Sequence, residues 1–188
     1  MKNIEIKPVT LDDVEQLSSI AIQAYLDHYT PIWKDNGAWY VEKVYNIPQL
    51  LSEILEENVA YFHVFQDNIC VGFIKLKKNY PLSIGSSGLP FGSGAGSSIA
   101  LNNALYIERI YFIKEAAGKG LGSFCFNFIY EMAKTLGRTN VWLMAMDTRR
   151  DAIRFYEKQG FDICGTWALD FDMMKPDCWG MVIMKKAI

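Results

Sequence analysis

At 188 residues the chain has the length of one domain, and with 51% hydrophobic and 14% aromatic residues it can fill a core. Its 19 basic and 21 acidic residues leave a formal charge of −2, which excludes a dedicated nucleic-acid or membrane-surface binder. Four scattered cysteines (Cys70, Cys125, Cys164, Cys178) form no C-x-x-C pair and read as reduced structural thiols; with only two histidines, His28 and His63, no zinc or other metal site is expected.

The first ten residues, MKNIEIKPVT, alternate through Ile4 and Ile6 and read as a strand, not a signal peptide, because no apolar h-region is present. No apolar run reaches about 18 residues, so no membrane span is expected, and a soluble cytoplasmic protein is the default. Thr10 then stands as a helix cap with Asp13 in the capping-box position, and Leu11, Val14, Leu17, Ile20, Ala21 and Ala24 follow at helical spacing. A second helix is predicted from Pro48, with Leu50, Leu51, Ile54 and Leu55 as its apolar stripe. AYFHVF and ICVGFIKLK flank Asp67-Asn68 and read as a hairpin.

SIGSSGLPFGSGAGSS, residues 83–98, holds five glycines and six serines, and its composition predicts a flexible surface excursion with no core of its own. ALYIERIYF is a strand by alternation. Leu121, Cys125, Phe128, Ile129, Met132, Ala133 and Leu136 then mark one face of a long helix, closed by Gly137. The strand VWLMAM, the short helix DAIRFYEKQ and two closing strands complete the chain. The predicted order is β-α-α-β-β-β-α-β-α-β-β, an α/β (α+β) fold with one mixed, mostly antiparallel sheet in a single domain spanning residues 1–188.

Between the strand ALYIERIYF and the long helix lie three glycines, Gly118, Gly120 and Gly122, in GKGLG. A helix N-terminus offers outward-pointing N–H groups and the positive end of the macrodipole, and glycines let a phosphate approach them. The spacing is neither the dinucleotide G-x-G-x-x-G nor a P-loop, and alone it also fits a turn that merely packs helix on sheet.

The order of two motifs, AGKGLG at 117–122 and AIRFYEKQGF at 152–161, resembles the GCN5-related N-acetyltransferase (GNAT) family, and the element order agrees over almost the whole chain. LYIERIYF, NVWLMAM and AIRFYEKQGF together look like its bacterial polyamine N-acetyltransferase branch, whose members acetylate spermidine- or spermine-like amines. The resemblance implies a GNAT-like acyl-CoA N-acyltransferase fold and acetyl-CoA as cofactor. It also implies a small-molecule amine as partner and direct acetyl transfer in a ternary complex. Homodimers are common in the family, though nothing in the sequence locates an interface.

The cofactor-binding residues it implies are Ile110, Phe112 and Ile113 along the pantetheine and Gly118, Lys119, Gly120, Gly122 and Ser123 at the pyrophosphate. Two departures stand out. Ala117 occupies the family's Gln/Arg position, leaving the phosphate to backbone N–H groups with Lys114 and Lys119 nearby. Arg149 occupies the place of an Asn that commonly contacts the pantetheine arm.

An alkylamine acceptor must lose a proton, and holding it neutral at pH 7 costs about 4.6 kcal/mol. Glu108, a carboxylate interrupting an apolar-aromatic strand, stands where the family often has its base, usually acting through water. The other reading of Glu108 is a charge partner for Arg109 or another basic residue. Tyr156 matches the tyrosine that protonates or stabilises the departing thiolate; its other reading is an ordinary buried tyrosine. Tyr25, Tyr29 and Trp33, spaced by four and followed by Trp39, Tyr40 and Tyr45, form either an acceptor wall or a core or dimer surface. Asp170, Asp172 and Asp177 either help to hold a polycation or are solvated turn charges. Two alternatives to the small-molecule enzyme stay open: an acyl-CoA-binding sensor or assembly module, and an enzyme acting on a peptide or protein amine.

Overall fold

The computed structural model of the protein describes residues 3–84, 99–116 and 120–188. The first strand, β1 (Ile4–Pro8), leads into a 3₁₀ turn at Leu11–Asp13 and then α1 (Val14–Tyr29). The Asp13 carboxylate accepts from both the N–H and the hydroxyl of Thr10, at 2.9 and 2.7 Å, as the capping-box reading expected. Leu17, Ile20, Ala21, Ala24 and Tyr25 form the buried face of α1.

A short helix absent from the predicted order follows, α2 (Ala38–Val44). Asp35 supports its start by accepting from the N–H groups of Gly37 and Trp39, at 3.0 and 2.6 Å. The next helix, α3 (Ile47–Ile54), starts one residue before Pro48, because Asn46 caps it by accepting from Gln49 N–H at 2.8 Å. Its buried residues are Leu50 and Glu53, whereas Leu55, expected in the apolar stripe, is 70% exposed.

The strands β2 (Val59–Gln66) and β3 (Ile69–Lys77) are joined by Asp67 and Asn68, both with positive φ, +51° and +66°. That is the two-residue turn whose twist suits a hairpin. Two three-residue strands, β4 (Leu82–Ile84) and β5 (Ile99–Leu101), pair antiparallel on either side of the Gly/Ser-rich stretch of sequence. Residues 85–98 of that segment lie outside the described residues.

The remaining elements are β6 (Ala104–Phe112), α4 (Leu121–Thr135), β7 (Asn140–Met146), α5 (Arg150–Lys158), β8 (Asp162–Ala168) and β9 (Gly180–Ala187). The seven main strands hydrogen-bond in the order β1-β2-β3-β6-β7-β9-β8. Pairing is antiparallel for β1/β2, β7/β9 and β8/β9 and parallel for β6/β7, so the mixed, mostly antiparallel sheet flanked by helices is as expected.

Contacts divide the chain into two compact units, Met1–Leu76 with Glu108–Cys125, and Lys77–Ile107 with Phe126–Ile188. The first has its core on α1, β2 and β3, around Leu17, Tyr25, Trp33, Tyr45 and Phe73. In the second, Tyr106 stacks on Trp142 at 3.9 Å between ring centroids, beside Leu82, Leu101, Ala104 and Ile183. Among the described residues, no helix is long and apolar enough to cross a membrane.

Candidate active site

The parallel register of β6 on β7 runs from Ala104–Asn140 to Ile107–Leu143 and stops there, although β6 continues to Phe112. The continuing segment belongs to the first unit, where Ile113 N–H donates to Val71 carbonyl on β3 at 2.9 Å. Backbone groups of successive strand residues alternate in direction. Those of Ile110 and the N–H of Phe112 therefore turn to the edge away from β3, where a pantetheine amide can pair with them. Of the three residues expected along the pantetheine, Ile113 thus has its N–H engaged by the sheet.

Gly72 on β3 makes this geometry feasible. A Cβ there would run into the Tyr111 carbonyl oxygen and stand 3.0 Å from Phe112 Cα, so only glycine lets β6 approach at this point. From the other direction, α1 grips the end of β6. Its His28 Nε2 donates to Phe112 carbonyl at 3.0 Å, and the Asp27 carboxylate accepts from Lys114 N–H at 3.0 Å.

Beyond Lys114, residues 117–119 lie outside the described residues, among them Ala117 and the expected phosphate contacts Gly118 and Lys119. Gly120 is described, with φ +81° and, among the described residues, nothing within 4 Å of the place a Cβ would occupy. It stands at the start of the fifteen-residue α4, whose first turn contains Leu121, Gly122 and Ser123 and no acidic side chain. Open space at Gly120, outward-pointing first-turn N–H groups and the helix dipole fit a diphosphate group.

Glu108 lies at the centre of a charged cluster inside the first unit. Lys75, only 3% exposed at its side chain, places Nζ 2.8 Å from Glu108 Oε1 and 2.8 Å from Glu53 Oε2. Arg109 stands 3.2 Å from Glu108 and 3.6 Å from Glu53. It also donates to the Tyr61 hydroxyl at 3.2 Å, and Tyr61 hydrogen-bonds Glu53. Two carboxylates and two cations therefore balance, which is how four charges can be withdrawn from water together. Burial pushes Glu53 up, but hydrogen bonds from Lys75 and Tyr61 and the charges of Lys75 and Arg109 outweigh it and hold the carboxyl below its usual value. Burial also opposes the charge of Arg109, but the nearby tyrosines and Glu108 reverse that effect. Glu53 and Lys75 were missed in the sequence, although a lysine inside the apolar strand ICVGFIKLK is the same kind of signal that marked Glu108.

The expected acceptor residues do come together. Tyr25 stacks on Tyr29 at 4.9 Å and on Tyr40 at 4.4 Å, while Trp33 Nε1 donates to Tyr25 Oη at 2.9 Å. Tyr25 and Trp33 are 3% and 1% exposed, so they stand behind the half-buried Tyr29 and Tyr40 rather than at the surface. Burial pushes the Tyr25 hydroxyl far above its ordinary range.

Tyr156 lies in the second unit, on α5. Its ring packs against Phe126, Phe155 and Phe161, with centroids 5.8, 5.6 and 6.3 Å away, and it is half-buried. The aromatic packing fixes the ring and leaves the hydroxyl as its only chemically active end. Arg149, at the start of α5, pairs with Asp151 at 3.1 Å.

Comparison with known proteins bears on this arrangement. A model described as the acetyltransferase (GNAT) family matches residues 19–161. Spermidine N(1)-acetyltransferase of Thermoplasma acidophilum is 24% identical over 182 residues, covering 92% of this chain and 97% of that protein. An uncharacterized N-acetyltransferase in the pepI 3' region of Lactobacillus delbrueckii subsp. lactis is 25% identical over 164 residues, 85% of each chain. The fold is similar to that of PaiA N-acetyltransferase from Thermoplasma acidophilum, solved in complex with coenzyme A, with a TM-score of 0.71, 21% identity and 99% of both chains covered. The family match takes in β6, the glycine junction and the Tyr156 helix alike, and the chain belongs to the GNAT family of acetyltransferases, which draw their acetyl group from acetyl-CoA.

Proposed function

We propose that the protein acetylates a primary amine of a small molecule, with a polyamine-like acceptor favoured, by direct transfer from acetyl-CoA. The observation that carries the reading is Glu108, a carboxylate kept on an otherwise apolar-aromatic strand, on the segment of β6 that runs past its pairing with β7. The thioester supplies an activated acetyl group. Gly120, Gly122 and Ser123 hold the pyrophosphate through backbone N–H groups, together with Gly118 and Lys119, and Ile110 and Phe112 pair with the pantetheine.

Glu108 takes a proton from the acceptor ammonium, directly or through water. The neutral nitrogen then forms its bond to the acetyl carbon as the carbon–sulfur bond breaks, and Tyr156 gives a proton to the departing sulfur. The remaining proton leaves from the new amide nitrogen to solvent. Direct transfer is favoured over an acyl-enzyme because burial pushes all four cysteine thiols above their usual values, Cys125 to about 12. The polyamine preference rests on similarity to spermidine acetyltransferase along nearly the whole chain. It also agrees with the half-buried Tyr29 and Tyr40 that Tyr25 and Trp33 back, since aromatic faces attract cations.

Purified protein incubated with acetyl-CoA and a panel of polyamines, amino acids, aminoglycosides and peptide N-termini should release thiol fastest with a polyamine. Release with another class of amine would move the acceptor assignment. A second reading is favoured by the ion pairs of Glu108 themselves, in which it merely neutralises Lys75 and Arg109 and the protein binds acyl-CoA without transfer. Tight CoA binding with no amine-dependent thiol release would establish that alternative.

A further inference from the structure

The charged and hydroxyl groups around Glu108 come from four different elements, and the acetyl-transfer step uses none of them. Lys75 reaches it from β3, and Arg109 is its neighbour on β6. Glu53 faces the same two cations from α3, and the Tyr61 hydroxyl from β2 bonds both Glu53 and Arg109. Tyr45, just after α2, lies with its ring 5.4 Å from the Arg109 guanidinium carbon.

Within this set Lys75 is a shared cation. Its Nζ is 2.8 Å from each carboxylate, and its side chain is almost fully withdrawn from water. A charge pair so poorly screened couples strongly, so whatever one carboxylate takes from Lys75 the other loses. We propose that Lys75 and Glu53 are positioning residues for Glu108, dividing one ammonium between two carboxylates and thereby setting how readily Glu108 accepts the acceptor's proton. This rests on the base role given to Glu108 above, and it assigns the control of that role to two side chains that need not touch the amine.

The arrangement has a signature that packing alone cannot produce. Removing the competing carboxylate, in Glu53→Gln, leaves Lys75 and Arg109 to Glu108 and makes it harder to protonate. Removing the shared cation, in Lys75→Met, makes it easier to protonate. Both substitutions remove members of one buried cluster, yet they must act on Glu108 in opposite directions.

The test is a pH titration by NMR of the full chain labelled with ¹³C at glutamate side-chain carboxyls, with the Glu108 resonance assigned by its loss in Glu108→Gln. The expected midpoint for Glu108 moves down by about one unit in Glu53→Gln and up by at least about one unit in Lys75→Met. Lys75→Arg should return it close to the wild-type position. Shifts in the same direction, or no shift in either variant, would overturn the inference. If Lys75→Met does not fold, the Glu53→Gln arm decides, because glutamine keeps the shape and the Tyr61 contact; an unmoved or raised midpoint there rejects the proposal. The base role is tested separately, by the pH profile of thiol release from acetyl-CoA with spermidine in Glu108→Gln. An unchanged acidic limb there removes the base role. Opposed NMR shifts alongside that result would show the shared ammonium intact and only the base reading lost.

Discussion

His28 Nε2 donates to the carbonyl oxygen of Phe112 across 3.0 Å, tying the last turns of α1 to the end of β6. With Asp27 holding Lys114 N–H at 3.0 Å, two consecutive helix residues fix the backbone between β6 and the glycine junction. His28→Ala should remove one hydrogen bond and lower stability by about 1 kcal/mol. If that segment holds the cofactor as proposed, the functional effect should be larger in KM for acetyl-CoA, raised roughly three- to tenfold, with kcat nearly kept. Steady-state kinetics and calorimetric titration with CoA measure both. His28→Asn, which can still offer an N–H, should recover part of the loss, and an unchanged KM in the alanine variant would leave His28 a packing residue.

What the sequence disclosed and what it hid separate along physical lines. Asp67-Asn68, Thr10 with Asp13, and Gly137 were legible because each feature is set by its own few residues: a positive-φ turn, a capping box, a helix end. Glu108 was legible because a charge within an apolar strand demands an explanation. Lys75 obeys the same rule, but it stands near the end of a hairpin strand beside Lys77 and Lys78, where lysines are ordinarily solvated. Glu53 was hidden for another reason. The phase of a helix as short as α3 is set by what it packs against, so Leu55 lies outside and Glu53 inside. The helix α2 was unreadable because WYVEKV carries aromatic residues without a clear period, and its start depends on Asp35 and a glycine at φ +93°. The exposure of Tyr25 and Trp33 likewise depends on tertiary neighbours, which residue spacing does not contain.

Tyr45 supplies a stability test that is independent of catalysis. The side chain is completely buried, and its hydroxyl has no hydrogen-bond partner among the described residues. Burial accordingly pushes this phenol well above its ordinary range. A buried donor without a partner loses its hydration and gains nothing in return. Tyr45→Phe should therefore keep the ring contacts with Tyr25, Tyr40 and Phe73 and leave stability unchanged or raised by up to about 1 kcal/mol. Urea unfolding gives the answer directly. A loss of 1 kcal/mol or more would mean that the hydroxyl is satisfied in solution, by water or by a local rearrangement.

His63 makes the opposite kind of prediction, one that varies with pH. On β2 it is 2% exposed, with Nε2 buried and no hydrogen-bond partner among the described residues. Burial lowers its pKa below the ordinary 6.5, and the carboxylate of Asp13 opposes that without reversing it. The unfolded chain therefore binds this proton more readily than the folded one. The contribution of neutral His63 is fully present above 6.5 and is lost progressively as pH falls from there through the folded-state value. Melting temperature should accordingly drop between pH 7 and pH 5, and His63→Phe, which fits the neighbouring Phe65, should flatten that part of the curve. An equal slope in the variant would assign the acid sensitivity to other groups.

Tyr156 separates the catalytic reading from the structural one. Its ring is held by Phe126, Phe155 and Phe161, and all three contacts survive the loss of the hydroxyl in Tyr156→Phe. Folding should therefore be nearly unaffected, with a change within about 1 kcal/mol. If the hydroxyl delivers the proton to the departing thiolate, kcat should fall by about 10²-fold or more, while CoA affinity stays within a factor of two or three. The loss should also depend on the leaving group. A thioester whose thiol has a lower pKa needs less help on departure, so the ratio of wild-type to variant rates should shrink with such a donor. Comparing acetyl-CoA with an electron-poor aryl thioacetate measures this. A rate loss that is the same for both donors would assign Tyr156 to positioning rather than proton delivery, and no loss would make it an ordinary core tyrosine.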